Sequence, residues 1–387
     1  MSQEVPNSAE KVNTAAMGEI FEISRQIKDV IRLEIGEPLF TTPEHIIDAA
    51  FKAAKDGHTK YTPNAGHFSL REKIAARLNN DYNLNLYPAN IVVTTGGLGA
   101  LATSIKALIE YGDEVLIPDP SWPVYEAVIT AVGGIPRYYQ LKSENDYLPS
   151  LTDIEEKINS KTKILLFNSP SNPLGVVFPA EKVKELVAFA KEKNLYIISD
   201  EVYEKLVYEG VHTPALAFDT DQRVIGIYSF SKTYAMTGWR IGYAVASEII
   251  APKITKLQEP FTWCASDISQ MAAEAALDGP QDCVETMKMV YQKNIEIARN
   301  ILDTHNIKYQ TPQGSMFMWI NIGPNNSGEF CKNFLLKHKV ATTPGVSFGP
   351  TAKGFLRISL VSKPEDIEVG LKRLITYLKR YSILKEE

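Results

Sequence analysis

Cysteine is scarce in this chain of 387 residues: Cys264, Cys283 and Cys331 stand apart, and none belongs to a CxxC pair. That excludes a disulfide-stapled fold, and it suits reduced, buried thiols. Histidine is sparse too, six residues without HxxxH spacing, so no metal site is expected. No apolar run reaches the ~18 residues that a membrane-spanning helix needs. Neither sign of charge dominates: the formal net charge is −5, which marks no nucleic-acid surface. The first residues, MSQEVPNSAEKVNTAAMGEIFE, lack an apolar targeting core and carry acids early, so a cytoplasmic location is expected.

What is present is an ordinary globular composition, 44% apolar and 22% charged, at a length that suits a large domain with a smaller one. An arm and a helix open the chain, with Met17, Ile20, Phe21, Ile23 and Ile27 as the apolar stripe. Ile31 to Ile35 alternates like a half-buried strand and ends in the turn Gly36-Glu37-Pro38, where Gly36 permits close backbone approach. Thr42-Pro43-Glu44 signals a helix to Lys55. An irregular loop, Lys60 to Gly66, then exposes Tyr61, which suits an interface or packing as well as a ligand.

From Ile91 short β-branched runs alternate with helical spacing. The runs are 91–93, 114–117, 164–167, 196–198, 224–227 and 242–245, and stretches such as 100–110 and 180–193 carry the helices. This α/β pattern predicts a mostly parallel sheet covered on both faces, with ligands bound beyond the carboxyl ends of its strands. After the first run, Gly96-Gly97-Leu98-Gly99 opens a helix whose amides could meet an anion, although it is not a GxGxxG fingerprint. After the second, Trp122 stands between two prolines, as a flat face for an aromatic ligand or as packing. After the third, a proline-rich turn could present the Asn172 amide.

After the fourth, Asp200 ends an apolar strand and should have a cationic partner, unless it caps a helix; Tyr203 shares its side if a helix starts there. After the fifth, YSFSKTYAMTGWR sets Ser229, Ser231, Lys232 and Arg240 together. They are either a surface turn or an anion site whose lysine, its proton affinity reduced, can form a Schiff base. Beyond, a helix from about Lys288 to Asp303, strands at Gly314–Ile320 and Phe355–Leu360, and a last helix over about 364–380 suggest a second, α+β domain on which the N-terminal segment packs. Arg357 lies in an apolar strand with no nearby acid, and faces either a ligand carboxylate or a distant acid.

A phosphate cradle, an aromatic platform, an amide, a carboxylate and a Schiff-base lysine together are what pyridoxal phosphate requires. The motifs IGEPLFTTPEHI, KYTPNAG, TTGGLGAL, PDPSWP, NSPSNPLG, SDEVYE, SFSKTYAMTGWRIGY and LRISLV resemble, in order and spacing, the class I/II aminotransferases of fold type I, in particular their aspartate aminotransferase-like subgroup. The resemblance implies a pyridoxal phosphate-dependent enzyme that moves an amino group from an L-amino acid to a 2-oxo acid. Lys232 would carry the cofactor and move the proton. Asp200 would pair with the ring nitrogen, Tyr203 and Asn172 would bond the phenolic oxygen, and Trp122 would stack on the ring. The amides of Gly97 and Leu98, with Ser229, Ser231 and Arg240, would hold the phosphate. Tyr61 would reach the phosphate of a neighbouring subunit, which implies a homodimer. Arg357 would clamp the substrate carboxylate, with Gly36, Asn172 and Trp122 beside it.

The expected division is an arm and part of the small domain over 1–45, a large cofactor-binding domain over 46–285 and a small domain over 286–387. Two departures stand out. Lys11 to Ala16 replaces the subgroup's Arg and Pro-Ser stretch, and Leu98 stands where several relatives carry a polar or basic residue. No second arginine or lysine for a distal carboxylate is identifiable, so both an aspartate/2-oxoglutarate pair and a neutral or aromatic donor remain open. A lyase of the same fold would keep the same cofactor residues.

Overall fold

The computed structural model describes residues 15–324 and 326–383; Lys11 to Thr14 lie outside the described residues, as do the side chains of Ala15, Ala16 and Met17. In chain order the first elements are α1 (Ala15–Gln26), β1 (Ile31–Arg32), α2 (Glu44–Lys55), α3 (Phe68–Tyr82), β2 (Ile91–Thr94), α4 (Gly96–Leu108), β3 (Glu114–Asp119), α5 (Val124–Ala131), β4 (Ile135–Gln140) and α6 (Leu151–Glu155). There follow β5 (Thr162–Asn168), α7 (Ala180–Glu192), β6 (Tyr196–Asp200), β7 (Val224–Ser229), α8 (Phe230–Thr233), β8 (Gly242–Val245), α9 (Ala251–Thr262), α10 (Asp267–Asp278) and α11 (Asp282–Thr304). The chain closes with β9 (Tyr309–Gln310), β10 (Phe317–Asn321), α12 (Ser327–His338), β11 (Val340–Ala341), β12 (Thr343–Pro344), β13 (Phe355–Ser359) and α13 (Pro364–Ile383). Among the described residues no helix is long and apolar enough to cross a membrane.

Seven strands form the main sheet, in the order β2-β8-β7-β6-β5-β3-β4, all parallel except β8. Successive side chains of a strand point to opposite faces, and here both faces are covered. Along β5, Leu165 and Phe167 pack with α7 through Leu186 and Val187. Ile164 and Leu166 pack on the other side with Leu101 and Ile105 of α4. That is why these strands read as unbroken apolar runs. A smaller antiparallel sheet, β12-β13-β10-β9, shares a core with α11, α12 and α13 that also takes in Ile20 and Leu33 from the N-terminal segment.

The structure corrects several boundaries. The expected strand over 31–35 is paired only at Ile31–Arg32, parallel to β11, because the Leu33 carbonyl then accepts from the Ser359 amide and that of Glu34 from the side chains of Thr343 and Arg357. The strand expected from Gly314 begins at Phe317, since Ser315 has left-handed backbone (φ 63°) that interrupts an extended run. Helix α11 starts at Asp282, not Lys288.

Candidate active site

The carboxyl ends of the parallel strands open into a cavity of about 510 Å³. β8 is antiparallel, so its first residue, Gly242, pairs with Ser229 and Thr94 at this same edge and delivers Arg240 there. The cavity is lined by Gly36, Gly97, Leu98, Trp122, Asn172, Asp200, Tyr203, Ser229, Ser231, Lys232, Arg240 and Arg357. Tyr61 is outside it, 82% exposed, with its ring 5.8 Å from that of Trp263.

The floor is made by backbone that only small residues allow. Gly96 starts α4 with φ +77°, and a Cβ there would lie 2.7 Å from Arg240 Nη2. A Cβ on Gly242 would lie 2.6 Å from the Gly97 nitrogen. The first amides of α4, the Ser229 and Ser231 hydroxyls and the Arg240 guanidinium thus share one end of the cavity, a donor set suited to a phosphate. Arg240 also donates to the Thr237 carbonyl at 2.8 Å.

Asp200 sits deeper, 4% exposed. Among the described residues its carboxylate has no ion-pair partner; it accepts from the Tyr125 hydroxyl and, at 3.3 Å, from the Val202 amide. The cation expected from the sequence is therefore not supplied by any described residue. Burial pushes the carboxyl up to about 6, against the pull of the Tyr125 bond. A buried carboxylate that lacks a protein cation, opening onto a cavity, fits a protonated ring nitrogen. The segment after it forms turns, not the helix that would have aligned Tyr203 with Asp200. Tyr203 instead reaches Asn172, and its ring meets Phe317 edge-on at 5.8 Å; burial raises its phenol well above the usual range. Trp122 meets Tyr125 edge-on at 5.5 Å.

Lys232 Nζ donates to the Gly36 carbonyl at 2.6 Å. Burial lowers its pKa to about 8, Arg357 and Arg240 acting the same way and Glu37 opposing. Arg357, 3% exposed, donates to Asn172 Oδ1 at 2.8 Å, to Thr343 Oγ1 at 3.1 Å and to the Glu34 carbonyl, and its guanidinium lies 4.0 Å from the centre of the Phe317 ring. All its acceptors are neutral, and burial lowers its pKa to about 10.

Sequence reading missed Tyr125 and Phe317, which orient Asp200 and Arg357, and it missed Glu201. That carboxylate is fully buried and accepts from the Ser199 and Tyr228 hydroxyls, the Ala215 amide and His212. It anchors the segment between Asp200 and Tyr203 from behind, through partners that no local motif reveals. Gly36 is tighter than the sequence suggests, since a Cβ would lie 2.5 Å from Phe317 Cζ. Gly36→Ala should push Phe317 against Arg357 and raise the KM for a ligand held by that guanidinium roughly tenfold, in line with the cost of overpacking. Unchanged steady-state kinetics would contradict that contact.

Comparison with known proteins agrees with this geometry. The model of the family "Aminotransferase class I and II" matches residues 28–374. A probable aspartate aminotransferase of Methanocaldococcus jannaschii is 39% identical over 373 residues, covering 95% of this chain and 98% of its own. The solved aspartate aminotransferase of Thermotoga maritima superimposes with a TM-score of 0.92 at 33% identity, over 97% of this chain and 100% of the other. An aromatic aminotransferase of Pyrococcus horikoshii does so with a TM-score of 0.88 at 32% identity, over 95% and 99%. With its parallel-stranded sheet, its lysine-bearing cavity and a family match along most of its length, the chain belongs to the class I and II aminotransferases, the pyridoxal phosphate-dependent enzymes of fold type I.

Proposed function

We propose that the cavity is the active site of an L-amino acid:2-oxo acid aminotransferase in which Lys232, Asp200 and Arg357 divide the work. The observation that carries this reading is the buried Asp200 carboxylate, without a protein cation, in one cavity with the Lys232 amine. When bound, pyridoxal phosphate supplies an aldehyde for the Lys232 amine and a ring that stores the electron pair left when the substrate's Cα–H bond breaks. Asp200 keeps the ring nitrogen protonated. Tyr203 and Asn172 bond the phenolic oxygen, and Trp122 covers the ring face. The Gly97 and Leu98 amides, Ser229, Ser231 and Arg240 hold the phosphate. Lys232 Nζ, its proton affinity reduced, would take the proton from the substrate's Cα and give it back on the far side of the amino nitrogen, two atoms along.

Arg357 clamps the substrate α-carboxylate, with the Gly36 backbone and Asn172 beside it, and so fixes which hydrogen faces Lys232. Arg357→Lys keeps the charge and loses the fork. It should lower kcat/KM roughly tenfold to a hundredfold, the value of a lost charged hydrogen bond. A Michaelis constant and rate like the native enzyme's would count against the clamp.

The exposed pair Tyr61 and Trp263 supports a homodimer in which Tyr61 reaches the partner's phosphate. The seven- and four-stranded sheets, with Ile20 and Leu33 packed on the smaller one, support a division into 1–45, 46–285 and 286–387 in which α11 crosses from the large domain to the small one. Three cysteines outside any disulfide suit the cytoplasm, although only Cys331 is buried as the sequence led one to expect, Cys264 and Cys283 being half-buried. Relatives named aspartate aminotransferase point to aspartate as donor, yet Phe21, Ile35, Leu98 and Leu101 are among the residues that line the cavity, which favours a neutral or aromatic side chain. A panel of amino donors mixed singly with the holoenzyme tests both points. An aminotransferase releases one 2-oxo acid per active site and stops until an acceptor is added. Continuous release from donor alone would establish a lyase instead.

A further inference from the structure

The histidines that look scattered along the chain meet in space. His58 lies in the turn after α2, His67 stands at the N-cap of α3, and Asp267 is the first residue of α10. Asp267 Oδ1 is 3.0 Å from His58 Nδ1 and 2.7 Å from His67 Nε2, and the three donor atoms lie within 4.8 Å of one another. The imidazoles meet edge to face, centroids 6.2 Å apart at 81°. Their side chains are 37% and 26% exposed and that of Asp267 is 10% exposed, so the carboxylate is sheltered while solvent reaches the rings.

We propose that His58, His67 and Asp267 form a binding site for a divalent transition metal of the zinc class, with water completing the coordination. Two imidazole nitrogens and a carboxylate oxygen select such ions over magnesium or calcium, which prefer all-oxygen shells. Tetrahedral bonds of about 2.0–2.1 Å set donors roughly 3.3–3.4 Å apart. The Asp267 oxygen is closer than that to each imidazole nitrogen because a proton lies between them, so on exchange of those protons for an ion the carboxylate and the rings move apart to the coordination distance. The site's surroundings are already fixed: the His67 amide donates to Gln270 Oε1 at 2.8 Å, and Gln270 Nε2 donates to Thr62 Oγ1 at 2.9 Å. Asp267 supplies one negative charge, and the amides at the start of α10 oppose the cation, which makes the affinity moderate. The ion ties the ends of α2, α3 and α10 together across the loop that carries Tyr61.

The test is calorimetric titration of untagged holoenzyme with zinc chloride, repeated with magnesium chloride and on the His58→Gln and Asp267→Asn variants. One zinc ion per chain is expected, no magnesium binding, and affinity about tenfold or more lower in each variant. Cobalt(II) should give the intense visible absorption of a low-coordinate site in the native protein and lose it in His58→Gln, a signature that does not depend on transamination. No saturable zinc binding, or binding unaltered in both variants, would overturn the site and leave the aminotransferase reading untouched.

Discussion

Replacing Lys232 with alanine is expected to lower transamination by roughly 10⁴-fold or more, because one substitution removes both the nucleophile and the proton carrier. The fold should survive. Lys232 makes a single protein contact of note, with the Gly36 carbonyl, and its burial costs stability while it is charged. The measurement is steady-state kcat/KM with the best donor from the panel, beside a thermal melt. A variant that melts like the native chain and retains turnover would remove Lys232 from the chemistry.

Asp200→Asn should separate stability from activity. The Tyr125 hydroxyl keeps an acceptor, but the charge that holds a proton on the ring nitrogen is lost. Breaking a buried ion pair on one side costs about 3–5 kcal/mol, so kcat/KM should fall roughly 10²–10⁴-fold. In the chain without cofactor the sign reverses. Burial raises this carboxyl from 3.8 to about 6, so the folded state holds a proton that the unfolded state has released between those values. Ionised Asp200 therefore penalises folding; the penalty is absent below about pH 4 and complete above about pH 6. At pH 7 the Asn variant of the cofactor-free chain should be more stable by up to about 3 kcal/mol. Equal stability at pH 7 would mean that the carboxylate finds a cation within the protein.

Much of this was legible in the sequence because strand ends in a parallel sheet are local. Lys232, Asp200, Asn172 and Trp122 each follow an apolar run that declares its strand, and the fold alone brings those ends together. What was illegible depends on partners far along the chain. Asp200 and Tyr125 are 75 residues apart, and Arg357 answers to Asn172, 185 residues away, not to an acid. β4 escaped notice because it is an edge strand, IPRYYQ, with only Tyr139 fully buried and a proline near its start. α3 carries Asn79, Asn80 and Asp81 in its last turns and begins at an exposed Phe68, which blurs its apolar face. The grouping of His58, His67 and Asp267 is illegible for the same reason, since Asp267 lies 209 residues from His58.

The most direct measurement is borohydride reduction of the holoenzyme followed by peptide mass mapping. The pyridoxyl group should be fixed on the peptide that contains Lys232, and the visible absorption should be lost with it. A label on any other lysine, or none after reconstitution with pyridoxal phosphate, would contradict the assignment of this cavity.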